Sequence, residues 1–182
     1  MLWFKASIGF LLIFASSSGC GFKPMYGGHL GDAVLSQMAA VEVSPMRGLL
    51  GVKMYNQLRD NLTPGGKQAA PRFQLDIDFS AHRDALITAK DTQVRRFNLV
   101  IQASYSLLDI ASGKLLTFGQ AGTTTNYNVV ESSIFGTSAA EETAHLRGVR
   151  QISEQIAWAL SVFFKQRSSD MQKDHESSRP KR

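Results

Sequence analysis

Phe73, Leu75, Ile77 and Phe79 alternate with Gln74, Asp76, Asp78 and Ser80, and this period of two constrains the chain more than any other feature. Successive side chains of a strand point to opposite faces, so such a segment has one apolar face and one wet face. It needs a cover on one side only. Ile77 is therefore expected to point inward and Asp78 outward. The same rule places Phe97, Leu99, Ile101, Ala103, Tyr105 and Leu107 on one face of a long following strand. Asp109-Ile-Ala-Ser-Gly113 has turn chemistry, and Lys114–Thr125 is expected to return as the next strand, with Gly119 and Gly122 marking a bulge or bend. Upstream, Met38–Val43 is short and apolar enough for a first strand, which Ser44-Pro45 ends.

Two segments switch to helical spacing and can supply the cover. Within Gly48–Leu62, Leu50, Met54, Tyr55, Leu58 and Leu62 fall on one stripe, and Thr63-Pro64-Gly65-Gly66 stops it. Ser138-Ala-Ala-Glu141 reads as a capping box opening a long helix, with Leu146, Val149, Ile152, Ile156, Leu160 and Phe163 on its apolar face. The order strand, helix, three strands, helix implies an α+β fold. It is a two-layer α/β sandwich, with two helices on a four-stranded mixed sheet whose last three strands form an antiparallel meander. We expect that domain over residues 38–167, after a Gly-rich extended tether at 20–37 and before a disordered charged tail at 168–182.

The N-terminus has the layout of a secretory signal over residues 1–19. Lys5 supplies the charge, Ala6–Ala15 a ten-residue apolar stretch, and Ser16–Gly19 small residues. Ten residues fall well short of the roughly 20 that span a bilayer. Ser17-Ser18-Gly19-Cys20 resembles a bacterial lipobox, with Ser17 where that pattern usually carries Leu. Cys20 would become the acylated N-terminus, its thiol accepting the lipid. Each buried CH₂ of such acyl chains (palmitate among them) contributes about 0.8 kcal/mol, and two chains make a stable anchor. Gly21 at the next position is compatible with sorting to the outer membrane. Cys20 is also the sole cysteine, which excludes an internal disulfide framework and a four-Cys zinc site.

Net charge is +5, a value that invites a nucleic-acid reading until it is located. Residues 165–182 hold six Lys/Arg against three Asp/Glu, Lys5 lies in the leader, and residues 20–164 carry 13 basic against 12 acidic residues. The basicity belongs to a tail, so no nucleic-acid partner is expected. Catalytic patterns are missing too. His29, His82, His145 and His175 have no metal-ligand spacing, and the sequence holds no nucleophile elbow, phosphate loop or dinucleotide fingerprint. Asp76 and Asp78 read as the solvated face of a half-buried strand. No enzyme, no metal and no cofactor is expected. Lys90, Arg95 and Arg96 flank the polar connection before the third strand; they are either loop charges balanced by Asp84 and Asp91 or contacts for the phosphates of an anionic lipid.

Cys20-Gly-Phe-Lys-Pro-Met-Tyr-Gly27, Ala39-Ala-Val-Glu-Val-Ser44, Asn56-Gln-Leu-Arg-Asp-Asn-Leu-Thr-Pro-Gly65 and Tyr105-Ser-Leu-Leu-Asp-Ile-Ala-Ser-Gly-Lys114, in that order and followed by a long helix, resemble the LptE family of Gram-negative lipopolysaccharide-assembly lipoproteins. The resemblance spans most of residues 20–165. It implies two helices on a four-stranded sheet, a place in the outer membrane held by lipid, and a non-enzymatic role. The family's partner is the LptD β-barrel, whose lumen it plugs, and the pair delivers lipopolysaccharide to the outer leaflet. Basic residues at one end of the sandwich are linked in the family to lipopolysaccharide contact. Lys90 best fits one such position, with Arg95 and Arg96 beside it, whereas a second position reads Phe135-Gly136-Thr137 and has lost its charge. A lipid-anchored adaptor of another envelope complex and an anchored hydrolase are the competing readings.

Overall fold

The computed structural model describes residues 29–66, 68–85, 94–130 and 134–177. Along them run α1 (His29–Ala39), β1 (Val41–Val43), α2 (Gly48–Leu62), β2 (Phe73–Ala85), β3 (Val94–Asp109), β4 (Leu115–Val130) and α3 (Ile134–Ser177). The sheet order is β1-β2-β3-β4, with β1 and β2 parallel and the rest antiparallel. The fold is α+β and the sheet is mixed, as the periodicities require, but three helices cover it rather than two.

The added helix, α1, occupies residues that the sequence reads as an extended tether. Its reason is burial. Val34 and Met38 lie one turn apart and are both sealed in the core, which outweighs the poor helix propensity of the Gly-rich approach. Met38 consequently lies in the last turn of α1, which ends at Ala39, and β1 begins only at Val41.

The long helix α3 also departs from expectation at both ends. It starts at Ile134, so Ser138 lies inside it instead of capping it, and it continues to Ser177 through residues expected to be disordered. Leu146 is 48% exposed. The buried stripe consists of Ala144, Val149, Ile152, Ile156, Leu160 and Phe164, while Phe163 is only half-buried. At Gly148 the helix comes so close to β3 that a Cβ would stand 2.5 Å from Ile101 Cδ1.

On the sheet side the core consists of Val41, Val43, Phe73, Leu75, Leu99, Ile101, Ala103 and Leu107, completed by Met54, Leu58 and Leu62 of α2. Each fully buried Leu or Ile contributes about 1.5–3 kcal/mol of hydrophobic stabilisation. The rings of Phe73 and Phe164 meet with centroids 5.1 Å apart, tying the start of β2 to α3. The β3–β4 turn forms as its sequence predicts. Asp109 accepts hydrogen bonds from the Ser112 amide (2.9 Å) and hydroxyl (2.8 Å), and Gly113 takes φ +67°. The Ser112 donors hold the Asp109 carboxyl below its usual pKa. The irregularity expected at Gly119 or Gly122 falls elsewhere: Leu107 faces Thr117 while Leu108 faces Leu115, so Leu116 is the extra residue. Gly119 serves a different purpose. A Cβ there would stand 2.7 Å from Tyr105 Cζ, so its bareness makes room for that ring.

Candidate functional site

The sheet has two unlike faces and two unlike ends. Its inner face is covered by the helices. Its outer face presents Asp76, Asp78, Ser80, Gln102, Ser104, Gln120 and Gly122 with none of the described helices over them, and a broad shallow groove runs across these strands. Ile77 is half-buried against the core and Asp78 is exposed, which matches the alternation. Asp76 is half-buried on the wet face and accepts hydrogen bonds from Ser44 and from Gln74 Nε2 (2.9 Å).

At the end formed by the β2–β3 connection, residues 86–93 lie outside the described set, and with them Lys90. Arg95 is placed through its backbone alone, paired with Val129 across β3 and β4. Arg96 is exposed on the outer face and donates from Nε to Asn128 Oδ1 at 3.3 Å. Arg83 is a basic residue at this end that the sequence reading missed. It occupies an inward position of β2, beyond the point where the helices cover that strand, so an arginine replaces the apolar residue that the alternation would demand. Its guanidinium lies 4.9 Å from the centroid of the Phe97 ring, which stacks on Tyr127 with centroids 5.9 Å apart. The Tyr127 hydroxyl is buried and lacks a partner of good hydrogen-bond geometry; facing Arg83, it raises the pKa of that guanidinium. The period of two would have flagged Arg83, had it been carried past Phe79. Arg147 of α3 donates to the Asn126 carbonyl at 3.1 Å. Ile134 and Phe135, at the start of α3, are 81% and 91% exposed. This end combines cationic groups with bare apolar side chains.

Nothing resembling a catalytic constellation forms among the described residues. His82 is exposed and sits 3.8 Å from Asp84 at Nε2, and His145 is half-buried on α3. No group of three or more His, Cys, Asp or Glu among them could hold a metal ion, and none of their helices is long and apolar enough to cross a membrane. Leu35, Met38, Asn61, Ala157 and Trp158 line a further groove between the three helices, mostly apolar, with Trp158 60% exposed. Cys20 lies outside the described residues.

The architecture is that of a small α+β sandwich shared with two bacterial proteins of known structure. One, from Caulobacter crescentus and described as a candidate lipoprotein, is 18% identical and covers 73% of this chain and 96% of its own, with a TM-score of 0.60. The other, a minor lipoprotein from Acinetobacter baumannii, is 14% identical over 67% of this chain and 88% of its own, with a TM-score of 0.52. The chain itself belongs to the LptE family, described as lipopolysaccharide-assembly, whose model matches residues 38–160. No curated protein sequence gives a significant match. Membership makes this an LPS-assembly lipoprotein concerned with outer-membrane biogenesis, in agreement with the resemblance carried by its sequence segments.

Proposed function

We propose that the protein is the lipid-anchored plug and assembly partner of an LptD-type barrel in lipopolysaccharide transport to the outer leaflet. The family match over residues 38–160 carries this reading. Residues 1–19 act as the signal peptide and Cys20 becomes the acylated N-terminus, which tethers the domain to the periplasmic side of the outer membrane. A plug must be rigid and must present polar surface to a polar lumen. The well-packed core and bare polar sheet face of this chain suit that work. Because the role lies in surface complementarity, no reactive group is required of it.

Lipopolysaccharide phosphates are met by Lys90, Arg95 and Arg96, with Arg83 adding a fourth cation at the same end. The exposed Ile134 and Phe135 give that end an apolar component suited to an amphiphile. Affinity purification from detergent-solubilised outer membrane tests the central claim: a large barrel should copurify at about one to one. Recovery without a barrel refutes the plug role and leaves an adaptor of another complex. Mass spectrometry of the extracted protein should show an N-terminus at Cys20 with acyl mass added.

A further inference from the structure

We infer that the outer face of the sheet carries a saccharide-binding cleft, separate from the basic end that meets phosphate. The inference rests on the chain being a lipopolysaccharide-assembly protein and assigns the sugar part of that amphiphile to a place in the fold. Two adjacent rows of side chains cross three strands in register. Asp76 of β2 faces Ser106 of β3, which faces Phe118 of β4; in the neighbouring row Asp78 faces Ser104, which faces Gln120. Each row thus runs carboxylate, serine, then phenyl ring or amide. Short serines in the middle strand leave a floor, and the longer side chains on either side make two walls. Strand spacing puts those walls about 9.6 Å apart, two inter-strand steps. The cleft has a volume of about 460 Å³, and the groove continues along the strands over Ser80, Gln102 and Gly122.

The chemistry of the walls selects the occupant. A sugar ring offers a C–H face and a rim of hydroxyls that both donate and accept. Phe118, 75% exposed, is an aromatic platform for the C–H face. The two carboxylates accept from hydroxyls, and the serines and the Gln120 amide can either donate or accept. Asp76 is held in place for this by Ser44 and Gln74, both of which donate to its Oδ1. Neither Asp76 nor Asp78 belongs to a salt bridge among the described residues. With no cation in either row, the cleft repels phosphate, so the phosphorylated part of the ligand must bind elsewhere.

The test uses the full-length protein in detergent and, as probe, a lipid-free, dephosphorylated oligosaccharide cut from lipopolysaccharide. Saturation-transfer NMR should show transfer from protein to sugar ring protons. Phe118→Ala and the double change Asp76→Asn with Asp78→Asn should each weaken binding at least tenfold while leaving the melting temperature within 2–3 °C, about the effect of a surface change. Arg150→Ala, at an exposed position of α3, should leave this binding unchanged. Absence of transfer, or transfer untouched by Phe118→Ala, overturns the cleft. So does a short arginine-rich peptide that binds these rows while the oligosaccharide does not, since that would make the site one for a basic protein partner. If the barrel copurifies but the oligosaccharide fails to bind, only the cleft falls; if the oligosaccharide binds and no barrel copurifies, the plug role falls instead.

Discussion

The two faces of one sheet obey different rules. On the inner face Leu75, Ile101 and Leu107 are fully buried beneath helices, and each position is dictated by volume and hydrophobicity. On the outer face Asp78, Gln102, Ser104 and Gln120 are exposed, and nothing in folding requires those particular residues. A strand must alternate to build such a sheet, but only one phase of the alternation is fixed by stability. The other phase is free to record what the protein touches, and here it records short hydroxyls between acidic and aromatic neighbours.

Substitutions should separate the faces by the size of their effects. Ile101→Ala, in the sealed core, should cost about 2–5 kcal/mol in chemical denaturation. Ile77→Ala, on the same face but half-buried, should cost about 1–2 kcal/mol, less than a full core truncation. Gly148→Ala sets better helix propensity, about 1 kcal/mol, against overpacking of Ile101. A net loss of about 1 kcal/mol is expected, and pairing it with Ile101→Val should recover most of that loss. Asp78→Ala should stay within about 0.5 kcal/mol. If thermal melts rank Asp78→Ala above Ile77→Ala, the two faces have been exchanged and the comparison breaks.

Acid sharpens the comparison in a different way. Ser112 lowers the pKa of Asp109, and Lys53, through its ion pair, lowers that of Glu142. Carboxylates whose folded pKa is depressed contribute stability above their unfolded pKa, near 4, and lose it as pH falls through the folded value. Stability of the wild type should therefore decline below about pH 4, with a shallower decline in Asp109→Asn and Glu142→Gln. Glu142 is exposed and Asp109 sits half-buried at a surface turn, so the effect should be the smallest of the series.

Regions differ in legibility for the same physical reasons. β2, β3 and α2 could be read directly, because Phe73 to Phe79, Phe97 to Leu107 and Met54 to Leu62 bury one face each and the burial imposes the period. The three strands and the Asp109–Gly113 turn follow from local chemistry. α1 was hidden: among its described residues the buried large apolar side chains are Val34 and Met38, and the surrounding glycines mimic a tether. Likewise the N-terminal turns of α3 carry Ile134 and Phe135 exposed, so no apolar stripe announces them. β4 runs on to Val130, beyond the expected end at Thr125: asparagine is depleted in strands, and Asn126 and Asn128 flank the buried Tyr127 that holds the extension to the core. At the candidate site, Arg96 was visible as a charge, and Arg83 stands out once the period of two is carried past Phe79; that an inward position can hold a charge there follows only from the end of the helical cover. The cleft was invisible in sequence because it depends on register between strands; Asp76, Ser106 and Phe118 are neighbours only once the hairpins are paired.

The first and last helices meet. Gln37 of α1 donates to Ser168 of α3 at 3.0 Å across 131 residues of sequence, and Val34 and Met38 complete a core whose other wall is α3. A chain that emerges N-terminus first therefore cannot close its core until nearly its whole length is available, and closing a loop of that size is slow. Until then the hairpins stand with their apolar rows uncovered, open to any holding chaperone and to aggregation. Delivery of the residues of α3 sets the clock, and that 44-residue helix is the latch.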